Sequence, residues 1–128
     1  MERRVINPWK WQDNLGFVQA NEVTGAQKML ICSGQTSVDE NGAPMHTGDM
    51  AKQFDQALNN VETVLKQAGM ELANVVKVTV YTTDVDAFIG AAMANRRMDG
   101  VKFASTLIGV TRLAFPPLMV ELEVTAVA

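Results

Sequence analysis

A single apolar stripe constrains what this chain can fold into. Between Asp49 and Gly69, Met50, Phe54, Ala57, Leu58, Val61, Val64, Leu65 and Ala68 recur at helical period. They therefore lie along one side of a helix of about five turns. Asp49 suits its N-cap, Gln53 sits near the position a capping box would use, and Gly69 suits its end. Lys52, Asp55, Gln56, Asn59, Glu62 and Lys66 fall on the opposite side and read as solvated. Such a helix must lay its apolar side on something.

Strands are the available partner. Arg3 to Ile6 reads as a short first strand, broken by Asn7-Pro8. Trp9 to Leu15 is an irregular loop holding both tryptophans, and Phe17 to Val23 is strand-like. Lys28 to Ser33 and the β-branched run from Asn74 to Thr82 read as further strands. A second helix is predicted from Ala87 to Met98, capped by Asp84 or Asp86 and stopped by Asp99-Gly100. Ser105 to Leu113 and Leu118 to Val127 are the last strands, parted by Pro116-Pro117.

This order predicts one α+β domain over residues 1–128, a sandwich of one mixed β-sheet with two helices on one face. Both Lys28 to Ser33 and Val75 to Val80 carry apolar residues on both sides of the strand. Two helices cover only one sheet face, so the other face is expected to meet further subunits.

Bulk composition narrows the function. The 128 residues are 48% hydrophobic and 20% charged, with a net charge of −3, as for a globular domain with one core. There is no basic block, only the pairs Arg3-Arg4 and Arg96-Arg97, which argues against a nucleic-acid binder. The lone Cys32 excludes an internal disulfide. The start lacks the apolar segment of a secretory signal, and no apolar run approaches a membrane span, so the cytosol is the expected location.

An ordered set of short motifs carries a further signal. It runs through Gly16-Phe17-Val18-Gln19-Ala20, Ser33-Gly34-Gln35, Gly48-Asp49, Ala57-Leu58-Asn59-Asn60-Val61 and Val64-Leu65. It continues through Ala68-Gly69, the strand Val75 to Tyr81, Val110, Leu113 and Val120-Glu121-Leu122-Glu123. Together they resemble the Rid family, the YjgF-like reactive-intermediate deaminases also described as endoribonuclease L-PSP-like, across nearly the whole chain. The segment from Met98 to Phe103 is shorter than is usual there, and Ala114 to Pro117 is longer. The resemblance implies a chorismate mutase-like fold and a homotrimer whose sheets line a central barrel, with ligand clefts between subunits. It implies hydrolysis of an unstable imino or enamino acid to a keto acid and ammonia, without metal or organic cofactor.

On that pattern Glu121 matches the family's catalytic glutamate, and Ser33 and Gly34 match the strand-end pair whose backbone helps to orient water. Lys77 matches a frequent lysine near the cleft. Four substrate-binding positions depart from the pattern. Phe17 stands for a common tyrosine, Ala92 for an asparagine, Leu107 for a cysteine and Ser105 for the arginine that grips the substrate carboxylate. A charge-assisted hydrogen bond contributes roughly 1.5–3 kcal/mol, and Ser105 offers only a neutral one. The standard 2-imino acid deaminase activity is therefore doubtful, and a more neutral ligand is expected.

No obvious cation takes the arginine's place. Arg112 stands seven residues beyond Ser105, an offset that would put it on the opposite sheet face, at the rim or in solvent. Arg96 and Arg97, at the end of the second helix, are expected to complement its dipole. Lys77 is the better candidate, against a reading as a partly exposed strand lysine. Cys32 reads as a buried thiol, and His46 as a loop residue. One Cys and one His cannot build a zinc site of ordinary spacing. Trp9 and Trp11 read either as packing at a subunit edge or as a lid over a cleft. Two function classes stand open: a cofactor-independent hydrolase acting on an enamine, imine or related carbonyl metabolite, and a non-catalytic trimer that binds a small metabolite. A ribonuclease or translation inhibitor is a distant third.

Overall fold

The computed structural model describes residues 1–128. The long helix, α1 (Met50–Gln67), forms where its stripe predicts, and Asp49 caps it by accepting from the Lys52 backbone N–H at 3.0 Å. Gln53 does not complete a capping box. Its side chain is buried, donates to the carbonyls of His46 and Pro117 and accepts from the Met119 N–H at 2.8 Å. It thereby ties the start of α1 to the loop that leads into the last strand.

The main sheet takes β3 (Met29–Ile31), β4 (Gln35–Thr36), β5 (Val75–Thr82), β6 (Ala104–Gly109) and β7 (Val120–Val127). Its order is β3-β7-β5-β6, with β4 also paired to β7. Only β5 and β6 run parallel, joined by the second helix, α2 (Val85–Ala94). This crossover is what makes the sheet mixed. Asp84, the first of the two proposed caps, accepts from the Ala87 N–H at 3.0 Å.

Both helices lie on one face of the main sheet. There Val78 and Val80 of β5 stand beside Val124 and Leu122 of β7 and pack under Phe54, Leu58, Val61 and Leu65 of α1. Phe54 and Phe88 meet edge-on at 5.1 Å and join the two helices at the core. No helix is long and apolar enough to cross a membrane.

Four expectations need correction. The first strands, β1 (Glu2–Ile6) and β2 (Ala20–Thr24), form their own two-stranded sheet. Arg3 pins this hairpin by donating to the carbonyls of Ala73, Val75, Val101 and Lys102. Phe17 is outside β2, because Val18 turns aside to bridge Ala104 at the edge of β6. Helix α2 stops at Ala94 rather than Met98. Asn95 turns extended there, and its side chain accepts from the Arg97 N–H and donates to Asp55. Strand β6 ends at Gly109, so Arg112 lies exposed in the following bend, where strand alternation no longer places it.

The uncovered face is also less apolar than expected. A bulge between Val75 and Lys77 turns β5 so that Lys77, Thr79 and Tyr81 point away from the helices. Apolar exposure on that face is confined to Met29, Ile31 and Ile108.

Candidate functional site

The proposed site residues fall into two groups. Sheet register decides which goes where. Ser105 and Leu107 of β6 stand beside Val78 and Val80 of β5, so they share the helix-covered face. Here the cover is thin. Helix α2 buries one side chain, Phe88, and offers Ala91 and Ala92 to the sheet beside Ser105. These small side chains cannot fill the space between α2 and the edge of the sheet. A cavity of about 650 Å³ remains, lined mainly by apolar residues.

Phe17, Ala92, Ser105 and Leu107 all line this cavity. Phe17 is brought there by the Val18 bridge, with the Val18 N–H donating to the Phe103 carbonyl at 2.9 Å. Trp11 packs edge-on against Phe17 at 6.0 Å, while Trp9 and Trp11 are themselves largely exposed. The surrounding loop is fastened through buried Gln12, which accepts from the Gln19 side chain at 3.0 Å. Leu15, Ile89 and Met93 complete an apolar and open mouth.

Glu121, Gly34 and Lys77 form the second group, on the uncovered face. Glu121 stands between Thr36 of β4 and Tyr81 of β5. Its side chain lies across Gly34, in the space where any other residue would place a Cβ. This is the reason for a glycine at position 34: the carboxylate reaches the backbone of the Ser33-Gly34 strand end. Lys77 donates to the Thr106 hydroxyl at 2.7 Å. Tyr81 donates to Glu123 at 3.3 Å, and its phenol pKa is raised, first by desolvation and then by the charges of Glu123 and Glu121.

The structure thus brings Phe17, Ala92, Ser105 and Leu107 together, and separately Gly34 and Glu121; Lys77 shares the face of Glu121 but stands four residues along β5 from Tyr81, the register partner of Glu121. The sheet stands between the two groups. Lys77 neighbours Ala104 in register, whereas Ser105 neighbours Val78, so Lys77 points away from the Ser105 side within one chain. Cys32 is buried, and desolvation pushes its thiol pKa up, in keeping with an unreactive core thiol.

Sequence reasoning missed several neighbours. Tyr81 shares the strand parity of Lys77 and pairs with Glu121, a relation that needs the β5–β7 register to be seen. Ile89 and Met93 of α2 line the cavity, as does Arg96 just beyond the early end of α2, which no local propensity announces.

The family model described as Endoribonuclease L-PSP matches residues 15–128. A RutC family protein of Aquifex aeolicus is 34% identical over 115 residues, 88% of this chain and 86% of that one. A human 2-iminobutanoate/2-iminopropanoate deaminase is 36% identical over 87 residues, covering 67% of this chain and 61% of its own length. Among solved structures, YyfB from Yersinia pestis, described as a protein of unknown function of the conserved Rid protein family, superposes with a TM-score of 0.87. It is 32% identical, with all of both chains covered.

Proposed function

Because the chain belongs to the Rid (YjgF-like, Endoribonuclease L-PSP) family, we propose that its two groups of residues are halves of one cleft completed between subunits of a homotrimer. The cavity of one subunit would hold the ligand, and the Glu121 face of a second would close over it. The reaction is addition of water to an enamine, imine or related carbonyl metabolite; an enamine first passes to its imine by moving a proton from nitrogen to the carbon beside the reacting one. Water adds to the imine carbon, the carbinolamine loses ammonia, and a carbonyl compound remains. Glu121 accepts a proton from the attacking water and returns it to the leaving nitrogen, while the Ser33-Gly34 backbone holds the water in line.

The observation that carries this reading is the Glu121 side chain lying over Gly34, a carboxylate close against half-buried backbone at a strand end. The deaminase name of the human relative supports the same chemistry. Ser105 sets the limit. It lies in a wall made mostly of apolar side chains and brings no charge, so an imino acid whose carboxylate adjoins the reacting carbon would be poorly held. A non-catalytic metabolite-binding trimer is the second reading, favoured by the apolar character of the cavity.

The test is release of ammonia from freshly generated 2-iminopropionate and from enamines with no carboxylate beside the reacting carbon, with Glu121→Ala as control. We expect turnover of such an enamine that the control abolishes, and slow turnover of 2-iminopropionate. Fast turnover of 2-iminopropionate that depends on Glu121 would contradict the argument from Ser105. No Glu121-dependent turnover of any substrate would favour the binding reading.

A further inference from the structure

We propose that Arg96 makes the mouth of the cavity an anion site, and that the ligand is a small amphipathic carboxylate. Its apolar body would lie inside and its carboxylate at the rim. This deepens the reading above by naming the ligand class; it rests on the cavity and not on the chemistry at Glu121.

Arg96 is the one lysine or arginine among the residues lining the cavity. Lys102 lines a smaller neighbouring recess with Asp13, and the remaining nearby cations are engaged elsewhere. Arg97 donates to Asp55, Asn59 and Glu62 of α1. Arg3 is held by backbone carbonyls, and Lys77 stands on the far side of the sheet. Arg96 follows the break in α2. Its backbone neighbours are fixed, because Asn95 and Arg97 both reach Asp55. Its own side chain is 81% exposed and has one partner, Asp99. Both residues of that pair line the cavity.

The pair is easily shared. An exposed ion pair between residues three apart contributes little, and a guanidinium carries five donors in a fork that suits a carboxylate. A ligand carboxylate can therefore join or displace Asp99. An apolar body is needed as well, because Ile89, Met93 and Leu107 stay open to solvent and would be covered by it. The carboxylate would then sit at the rim beyond α2, beside Arg96 and not held by Ser105, though both line the same cavity. That is a different placement from a carboxylate adjoining the reacting carbon.

The experiment compares two probes of one shape, 4-phenylbutyrate and 4-phenylbutanol, by calorimetric or NMR titration of the intact protein near pH 7. The carboxylate is expected to bind about three- to five-fold tighter than the alcohol, the gain an exposed ion pair can give. Arg96→Gln should remove that difference and leave the alcohol within about two-fold. Asp99→Asn should strengthen the carboxylate alone, since it frees the guanidinium. Equal affinity of the two probes, failure of both to bind, or an Arg96→Gln variant that weakens both alike would overturn the proposal. Glu121→Ala separates the two readings. It should abolish turnover and leave the Arg96-dependent preference for the carboxylate probe in place, so each reading can fail while the other stands.

Discussion

On the helix side of β7, Val120, Leu122, Val124 and Ala126 are buried; on the other side, Glu121, Glu123 and Thr125 alternate with them and meet no helix. One strand thus serves two environments with period-two alternation. The helix side carries the core and, where α2 is thin, a cavity. The uncovered side carries the carboxylates, Tyr81 and Lys77. The chemistry-bearing groups and the ligand-sized space lie on opposite sides of the same sheet. In a single chain they cannot meet, which is why the proposed cleft needs a second copy.

Substitutions on the two sides should therefore behave differently. The largest effect on stability is expected at Leu122, buried against α1 and beside the cavity. Leu122→Ala should cost roughly 2–5 kcal/mol in urea unfolding, while Glu123→Ala, next along the strand, should change the midpoint little. Comparable losses at both positions would break the contrast between the faces.

Gly34→Ala sharpens it from the other side. The new Cβ would overlap the Glu121 side chain, which can swing away without disturbing the core. Turnover should fall about a hundred-fold or more, as for loss of a general base, with a melting temperature near that of the parent protein. A large drop in melting temperature would mean that Gly34 serves the fold rather than the carboxylate.

A smaller effect is expected at Arg97, which ties the end of α2 to Asp55 and Glu62 of α1. These pairs are only partly shielded from solvent, so Arg97→Ala should cost about 1 kcal/mol or less, and less still in high salt. A salt-independent loss would point to packing by its stem instead.

The smallest expected effect is spectroscopic. Tyr81 is the only tyrosine, so phenolate absorbance reports it alone. Its pKa is raised from 10.0 by desolvation and by Glu123 and Glu121. Because the folded-state value is raised, the contribution to stability is present below the unfolded-state value and lost as pH rises through the folded one. The absorbance midpoint should lie above 10.0 and should fall in Glu123→Gln. A midpoint at the ordinary value would place Tyr81 away from the acidic cluster.

Much of this architecture is legible in the sequence, and what is not has physical causes. The α1 stripe, its Asp49 cap and the alternation of β7 are local patterns, and they fold as they read. The end of α2 is not local. Asn95 leaves the helix because its side chain finds Arg97 and, across 40 positions, Asp55. Arg97 is likewise spent on α1 rather than on its own helix end. The separate β1–β2 sheet depends on Arg3 finding carbonyls 70 to 99 residues away. For the site, motif matching picks out candidate residues, but only sheet register shows that Ser105 and Glu121 face opposite ways.

The most direct test of the two-sided arrangement is chemical cross-linking in a Cys32→Ser background. One chain carries Leu107→Cys, on the cavity side, and a differently tagged chain carries Glu121→Cys, on the uncovered side. After co-expression, a short bis-maleimide should join the two tags into one covalent species that needs both cysteines. If no such species forms while the chains remain folded, the two faces do not meet between subunits, and the composite cleft is wrong.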